Sequence, residues 1–192
     1  MKRVDGKSFI GLELSSKTVS DVIFYDCVFE NCSFDSVRLD SVSFTECRFI
    51  RSRIVNPTTR NTKLNFSRFI ECNLIGVHLG DLSPIGSYAA MISELRDSTL
   101  KYCSFERVEL RKFNFESNAL IYSTFNGCDL KGASFRGTDL CESAFMRCDL
   151  RACDFTDSRG FRIDVKDNKL EDASFSYPEV TSLLYSLGIK IK

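Results

Sequence analysis

Residues 128–155 read CDLKGASFRGTDLCESAFMRCDLRACDF, and a large apolar residue returns at every fifth position of this segment. A small residue stands two places before each large one. Because this period matches neither the helix, at about 3.6 residues, nor the strand, at about two, it indicates a repeat architecture. The large positions are Leu130, Phe135, Leu140, Phe145, Leu150 and Phe155, and the small positions are Cys128, Ala133, Thr138, Ser143, Cys148 and Cys153.

The same period runs from Phe9 to Leu79 and, after a change of phase, from Leu95 to Phe175. These runs contain 32 large positions, of which 27 hold Phe or Leu. If four units form one square turn, both kinds of position point inward and the other three residues of each unit point outward. The large side chains should then stack at the strand spacing of about 4.8 Å, as in other solenoids.

Eight of the nine cysteines occupy small positions, and only Cys141 does not. A residue type confined to one position in the repeat is there for its size and apolarity, because free Cys packs as a small hydrophobe. We therefore expect buried thiols rather than disulfides or metal ligands. The only histidine is His78, and the sequence has no C-x-x-C pair, so no metal site is expected.

The chain has 26 basic and 26 acidic residues and a net charge of zero. This balance gives no support to direct nucleic-acid or membrane binding. Neither a signal peptide nor a long apolar run is visible, so a cytoplasmic protein is expected. One histidine and no phosphate-binding glycine loop argue against catalytic sites of the common kinds. A non-enzymatic binding protein without a cofactor is the expectation.

Two segments interrupt the repeat. In residues 51–63, Pro57 takes a small position and Thr59 a large one, and the segment is basic through Arg51, Arg53 and Arg60. Since proline cannot donate to a strand ladder, this segment is either a worn turn of the coil or a loop that leaves it to contact a partner.

In residues 80–94 the phase slips by one residue, which the sequence places here and nowhere else. We expect a protruding loop with Ile85, Tyr88 and Met91 exposed, the alternative being a one-residue bulge. Asp81 belongs to the same candidate partner-binding segment.

After Phe175 the pattern becomes helical. Pro178 suits a helix start and Gly188 a helix stop, and Ile189 begins an alternation typical of an edge strand. This end either caps the coil within one chain or pairs with its copy about a two-fold axis, and we expect a dimer. The expected interface comprises Val180, Leu183, Leu184, Leu187 and Ile189.

The units C-D-L, A-S-F, T-D-L and C-D-F resemble the pentapeptide-repeat family, whose units read approximately A-[DN]-L-x-x. The resemblance implies an all-β fold, a right-handed quadrilateral β-helix of about eight turns. On this basis residues 1–176 form the coil, and residues 177–192 form a short C-terminal helix and strand.

The two interruptions and the ending L-L-x-x-L-G-I resemble the Qnr and MfpA group of quinolone-resistance proteins and their microcin B and albicidin immunity relatives. Residues 63–74, KLNFSRFIECNL, are similar in style to the microcin immunity protein. The resemblance implies a cytoplasmic homodimer that binds DNA gyrase or topoisomerase IV and protects it from quinolones or peptide toxins through loops at 51–63 and 80–94. A structural or adaptor protein with no topoisomerase target is the alternative.

A net-neutral chain is a poor electrostatic copy of DNA, which is the mimicry that the group's acidic members use. A local acidic stripe from Asp26, Glu30, Asp35, Asp40 and Glu46 could remain. Otherwise we expect the loops to carry recognition.

Overall fold

The computed structural model describes residues 1–82 and 90–190, which form short parallel β-strands and little other regular structure. The chain divides into two compact units, residues 1–99 and 100–192. The predicted boundary between residues 176 and 177 remains a prediction.

The strands of the first unit are three to eight residues long. They are β1 (Lys2–Asp5), β2 (Ser8–Ile10), β3 (Thr18–Tyr25), β4 (Val28–Glu30), β5 (Ser33–Asp35), β6 (Arg38–Thr45), β7 (Arg48–Ile50), β8 (Arg53–Val55), β9 (Thr58–Arg60), β10 (Lys63–Asn65), β11 (Ser67–Ile70), β12 (Asn73–Ile75) and β13 (Ile92–Arg96). A 3₁₀ turn spans Leu79–Leu82.

β14 (Thr99–Lys101) lies at the boundary of the two units. The strands that follow are β15 (Ser104–Glu106), β16 (Ala119–Ile121), β17 (Thr124–Asn126), β18 (Asp139–Met146), β19 (Asp154–Phe155), β20 (Arg159–Ile163) and β21 (Ser174–Phe175). The chain then forms a 3₁₀ turn at Glu179–Thr181 and the helix α1 (Ser182–Tyr185).

Strands pair in parallel with the strand that follows one turn later, and the register is 20 residues. In the first unit Phe29 lies opposite Phe49, and in the second Phe125 lies opposite Phe145. Four consecutive five-residue units therefore complete one turn, as the sequence predicted. The solenoid and the short C-terminal helix of the predicted fold class are confirmed.

Phenylalanine rings stack along the inside of each unit. The ring centroids of Phe29 and Phe49 are 5.0 Å apart, and those of Phe49 and Phe69 are 4.9 Å apart. In the second unit Phe125 and Phe145 are separated by 4.7 Å. The spacing confirms the predicted stack, since parallel strands fix the distance between equivalent side chains.

The eight cysteines of the small positions are buried and unbonded, and Cys141 is exposed. These positions also have a polar role that the sequence analysis missed. The Ser143 hydroxyl donates to the Leu120 carbonyl oxygen at 2.6 Å and accepts from the Ser123 amide at 2.9 Å. The Cys153 thiol likewise donates to the Leu130 carbonyl oxygen, at 3.0 Å. The small side chains thus satisfy backbone groups of the turn before, which buried polar groups require.

The residue two places after most large positions adopts the left-handed conformation and turns the chain to the next face. Asn31, for example, has φ 51° and Ser117 has φ 61°. We call these the corner residues. Among those that the structure describes, none is β-branched, because left-handed backbone is most costly beside a branched Cβ.

The repeat slips a second time, at β20, where the sequence analysis expected none. Phe161 lies opposite Ser143 and Ile163 opposite Phe145, so the separation is 18 residues. Phe161 and Ile163 are buried there, while Gly160 and Val165, the predicted large positions, are not. Gly160 allows the slip because its left-handed backbone passes directly over β18, where a Cβ would lie 2.8 Å from the Cα of Cys141.

The C-terminal segment is partly as predicted. Pro178 precedes the 3₁₀ turn that leads into α1, and Gly188, at φ 73°, ends this segment by donating to the Tyr185 carbonyl oxygen at 3.0 Å. The predicted edge strand is wrong at Ile189 and Lys190, which are not in a strand. The Ile189 amide bonds back to Leu184 at 3.2 Å instead, which closes the helix end.

Candidate protein-interaction surfaces

Residues 51–63 do not leave the coil. β8, β9 and β10 continue the ladder, with Ile54 opposite Phe34 and Thr59 opposite Leu39. The hypothesis of a projecting loop here is therefore wrong, and the worn turn is correct. Pro57 is tolerated because the amide of a small position does not join the backbone ladder. It donates instead to the small side chain of the next turn, as Cys32 does to Ser52 at 3.0 Å.

The basic residues of this turn are largely neutralised. Arg60 forms two hydrogen bonds with the Asp40 carboxylate, and Arg51 pairs with Glu30. The pKa of Asp40 is held below its ordinary value, mainly by the hydrogen bond from Arg60. Arg53 is exposed on β8. The segment is thus a charge-paired face rather than a basic patch.

Pro57 and Thr59 are half-buried and line an apolar cavity of about 40 Å³ inside the first unit. The cavity exists because Thr59 is smaller than the Leu or Phe usual at a large position. Leu82, which is 6% exposed, reaches the same cavity from the 3₁₀ turn. The worn turn therefore creates a pocket that holds the start of the next segment.

Residues 80–94 lengthen one turn of the coil. Phe69 lies opposite Leu95, a register of 26 residues where 20 is usual. Asp81 is exposed at the end that leaves the coil. Ile85 and Tyr88 lie outside the described residues, so their predicted exposure remains a prediction.

Met91 is buried, at 4% exposure, and the prediction that it is exposed is wrong. The chain has already rejoined the coil at this point. The Phe66 amide donates to the Ala90 carbonyl oxygen at 2.8 Å, and the Ser67 amide donates to the Met91 carbonyl oxygen at 3.2 Å. The inserted segment is therefore anchored at both ends by buried side chains, Leu82 and Met91.

The five carboxylates of the hypothetical acidic stripe do not share a face. Glu30, Asp35 and Asp40 lie on the successive strands β4, β5 and β6, and only Asp26 and Glu46 are in one column. Glu30 and Asp40 are also paired with arginines. This part of the surface therefore lacks the continuous acidity that imitation of DNA would need.

A groove beside Phe66 was missed by the sequence analysis. It has a volume of about 530 Å³ and is open to solvent. Its lining residues are Asp26, Glu46, Arg48, Phe66, Arg68 and Ser93. The available signal was Phe66 itself, which stands at a corner position that Asp, Asn, Ser, Gly and charged residues usually hold.

The C-terminal segment presents apolar side chains to solvent. Leu184, Leu187 and Ile189 are 36%, 43% and 46% exposed, while Val180 and Leu183 are half-buried. Tyr177 and Tyr185 are exposed as well. The structure contains one chain, so the dimer remains a prediction for which this surface is available.

The thiols at the small positions are suited to packing rather than to chemistry. Burial raises the pKa of Cys47 to about 12 and that of Cys72 to about 11, which keeps both protonated. His78 is exposed. Within residues 1–82 and 90–190, His, Cys, Asp and Glu form no cluster of three that could hold a metal ion. Over the same ranges the chain has no helix with the length and apolarity needed to span a bilayer.

Two family models match the chain. The one described as a pentapeptide repeat region matches residues 98–175, and the one described as the SV2A/B/C luminal domain matches residues 5–79. A search of curated proteins found no match.

Solved structures of other repeat proteins resemble the chain weakly. QnrB1, a plasmid-mediated fluoroquinolone resistance protein, is 20% identical over 95% of this chain and 100% of its own, with a TM-score of 0.47. A pentapeptide repeat protein of the Arabidopsis thaliana thylakoid lumen is 28% identical over 39% of this chain and 52% of its own, with a TM-score of 0.37. HetL of Nostoc sp. strain PCC 7120, a pentapeptide repeat protein involved in heterocyst differentiation regulation, is 13% identical over 88% of this chain and 85% of its own, with a TM-score of 0.27. At these identities and scores the similarity says nothing about function.

The five-residue sequence repeat, the four-sided coil that it forms and the family match over residues 98–175 identify the chain as a pentapeptide-repeat protein.

Proposed function

We propose that this protein is a non-enzymatic binding protein that acts on DNA gyrase or topoisomerase IV and protects it from quinolones or peptide toxins. One observation carries the proposal. The coil is lengthened once, at residues 80–94, and the added residues are fastened at Leu82 and Met91. A lengthened segment on a regular scaffold is a common place for recognition, since the scaffold fixes its ends.

The resemblance of the interruptions and of the C-terminal ending to the Qnr and MfpA group supplies the target class. The charge-paired surface favours contact by the inserted segment over imitation of DNA. Arg60 and Arg51 are matched by carboxylates of the preceding turn, and the chain has no net charge. Recognition would therefore depend on Ile85, Tyr88 and Asp81 more than on long-range charge. We place the protein in the cytoplasm, where these enzymes act.

A supercoiling assay tests the proposal. Purified gyrase is inhibited with a quinolone or a peptide toxin, and the protein is added at micromolar concentration. We expect supercoiling to recover. Recovery should be lost in the double variant Ile85→Ser, Tyr88→Ser and kept in Tyr122→Ser, which removes an exposed aromatic ring from the second unit.

If the protein neither restores nor inhibits supercoiling by gyrase or topoisomerase IV, the topoisomerase target is excluded. A structural or adaptor role is the second candidate, and the ion pairs favour it to this extent: they join successive turns of the coil, as Arg159 does with Asp139. Recovery that persists in the double variant would instead remove the inserted segment from the mechanism.

A further inference from the structure

Phe66 occupies a conformation that bulky residues rarely adopt. It is a corner residue with φ 50°, and its ring is on the surface, with the residue 45% exposed. The coil imposes this backbone. The Phe66 amide donates to Ala90 at 2.8 Å, and the Ser93 hydroxyl donates to the Phe66 carbonyl oxygen at 2.9 Å. An exposed aromatic ring at a strained position adds little to folding, and such strain is often associated with function.

The charged residues around Phe66 depart from the pairing rule of the coil. Elsewhere an outward arginine meets a carboxylate one turn away, as Arg60 meets Asp40. Here Arg48 lies opposite Arg68 on neighbouring strands, and like charges in register repel. Beyond Arg68 comes Glu94, but its carboxylate pairs with Arg96 at 3.3 Å.

The carboxylates of Asp26 and Glu46 line the same groove. Within residues 1–82 and 90–190, none of the four charged side chains that line it makes an ion pair, although Glu46 accepts a hydrogen bond from the Tyr25 hydroxyl at 3.3 Å. The groove thus offers an apolar ring between two unpaired cations and two unpaired anions.

We propose that this groove binds a protein segment in which a carboxylate stands next to an apolar side chain. The two arginines are one strand spacing apart, about 4.8 Å, which suits the two oxygens of one carboxylate. The apolar side chain would cover Phe66. Asp26 and Glu46 disfavour a phosphate backbone, which would carry negative charge along the whole groove, and would accept a basic residue of the same segment. This surface is independent of the proposed topoisomerase target.

The first experiment asks why Phe66 is present. Phe66→Asn keeps the left-handed backbone and removes the ring, since Asn tolerates this conformation well. We expect the midpoint of urea unfolding to stay unchanged or to rise. A fall comparable to that of a buried Phe would show that the ring is needed for packing, and this outcome would overturn the inference.

The second experiment identifies the ligand class. The full chain is immobilised and used to select from a displayed library of random short peptides, and an enriched peptide is then synthesised for titration. We expect a consensus of Asp or Glu beside an apolar residue. Binding should weaken about tenfold or more in Phe66→Asn and in the double variant Arg48→Ala, Arg68→Ala.

Two controls make this result specific. Tyr122→Asn removes an exposed corner aromatic of the second unit, and Arg136→Ala removes an exposed arginine there; neither should change the affinity. The inference is overturned if no acidic and apolar consensus emerges or if the peptide binds Phe66→Asn as tightly as the parent. It is also overturned if a duplex oligonucleotide binds and loses its affinity in the double arginine variant, because the groove would then be a phosphate site.

Discussion

The corner residue is the part of each unit where side-chain chemistry and backbone conformation are most tightly linked. Its left-handed backbone turns the strand onto the next face, and Asn, Asp and Gly adopt it at the lowest cost. Ser117 is a simple example, because it has φ 61° and lies on the surface. A change at such a site alters the backbone energy with little effect on packing.

We predict that Ser117→Val destabilises the protein by about 1–2 kcal/mol, because a β-branched residue is strained at positive φ. Ser117→Gly should be within about 0.5 kcal/mol of the parent, since glycine has no Cβ to clash. Urea unfolding of both variants measures the difference. Equal stabilities for the two variants would contradict the role given to the corner.

Gly160 has a second constraint besides its φ of 75°. A Cβ there would lie 2.8 Å from the Cα of Cys141, so the backbone itself would have to move. Gly137, at φ 64°, is the matched control, because a Cβ added to it would meet no atom within 4 Å. We expect Gly160→Ala to cost at least about 1 kcal/mol more than Gly137→Ala in denaturant unfolding. A cost no greater than that of the control would show that β18 and β20 separate easily here.

Asp149 links charge to stability. The hydrogen bond from Arg151, at 2.8 Å from its Nε, lowers the pKa of this carboxyl to about 2. A carboxyl whose pKa is lower in the folded state stabilises the protein above its unfolded pKa of about 3.9, and this contribution disappears as the pH falls toward the folded value.

We therefore predict that Asp149→Asn is less stable than the parent at pH 7 and that the gap closes between about pH 4 and pH 2. Thermal unfolding at a series of pH values measures this. Asp172→Asn, at an exposed corner, is the control and should leave the pH dependence unchanged. A gap that stays constant down to pH 2 would mean that the Arg151 contact contributes nothing as an ion pair.

At the scale of elements, the ladders of the coil extend through irregular turns, and the irregularities support one another. The small side chain of Thr59 leaves space in the core, and Leu82 of the 3₁₀ turn occupies part of it. The lengthened segment thus begins from a buried anchor. Loss of that anchor should affect both the stability of the first unit and the position of residues 80–94.

We predict that Leu82→Ala destabilises the protein by about 2–4 kcal/mol, because it enlarges a cavity in the core. Ile10→Ala, at a residue that is 71% exposed, should change the stability by less than about 0.5 kcal/mol. Chemical denaturation provides both values. If Leu82→Ala matched Ile10→Ala, the 3₁₀ turn would not be a structural anchor.

At the scale of the molecule, the C-terminal segment is the element best suited to assembly. It follows the last strand, exposes Leu184, Leu187 and Ile189 together, and ends at a short helix that buries none of its residues fully. An apolar surface of this kind is common where a second copy binds. The two-fold dimer expected from the sequence would cover it.

We predict that Leu184→Asp converts a dimer to monomers, because two buried unpaired carboxylates would face each other across the axis. Multi-angle light scattering measures the mass. Ile10→Asp introduces the same charge at an exposed apolar residue of the first unit and should leave the dimer intact. A Leu184→Asp dimer would place the interface elsewhere.

The five-residue period determined the four-sided coil, the 20-residue turn and the burial of the cysteines, because each depends only on the alternation of small and large side chains. The tertiary structure alone decided where the coil departs from that rule. It placed Met91 in the core, moved Ile163 into the place predicted for Val165 and kept Pro57 within the ladder. It also brought Phe66 together with Arg48 and Asp26 around one groove. These outcomes depend on which carbonyl each amide finds after an insertion or a slip, and that choice is made by backbone hydrogen bonds between turns rather than by local side-chain pattern.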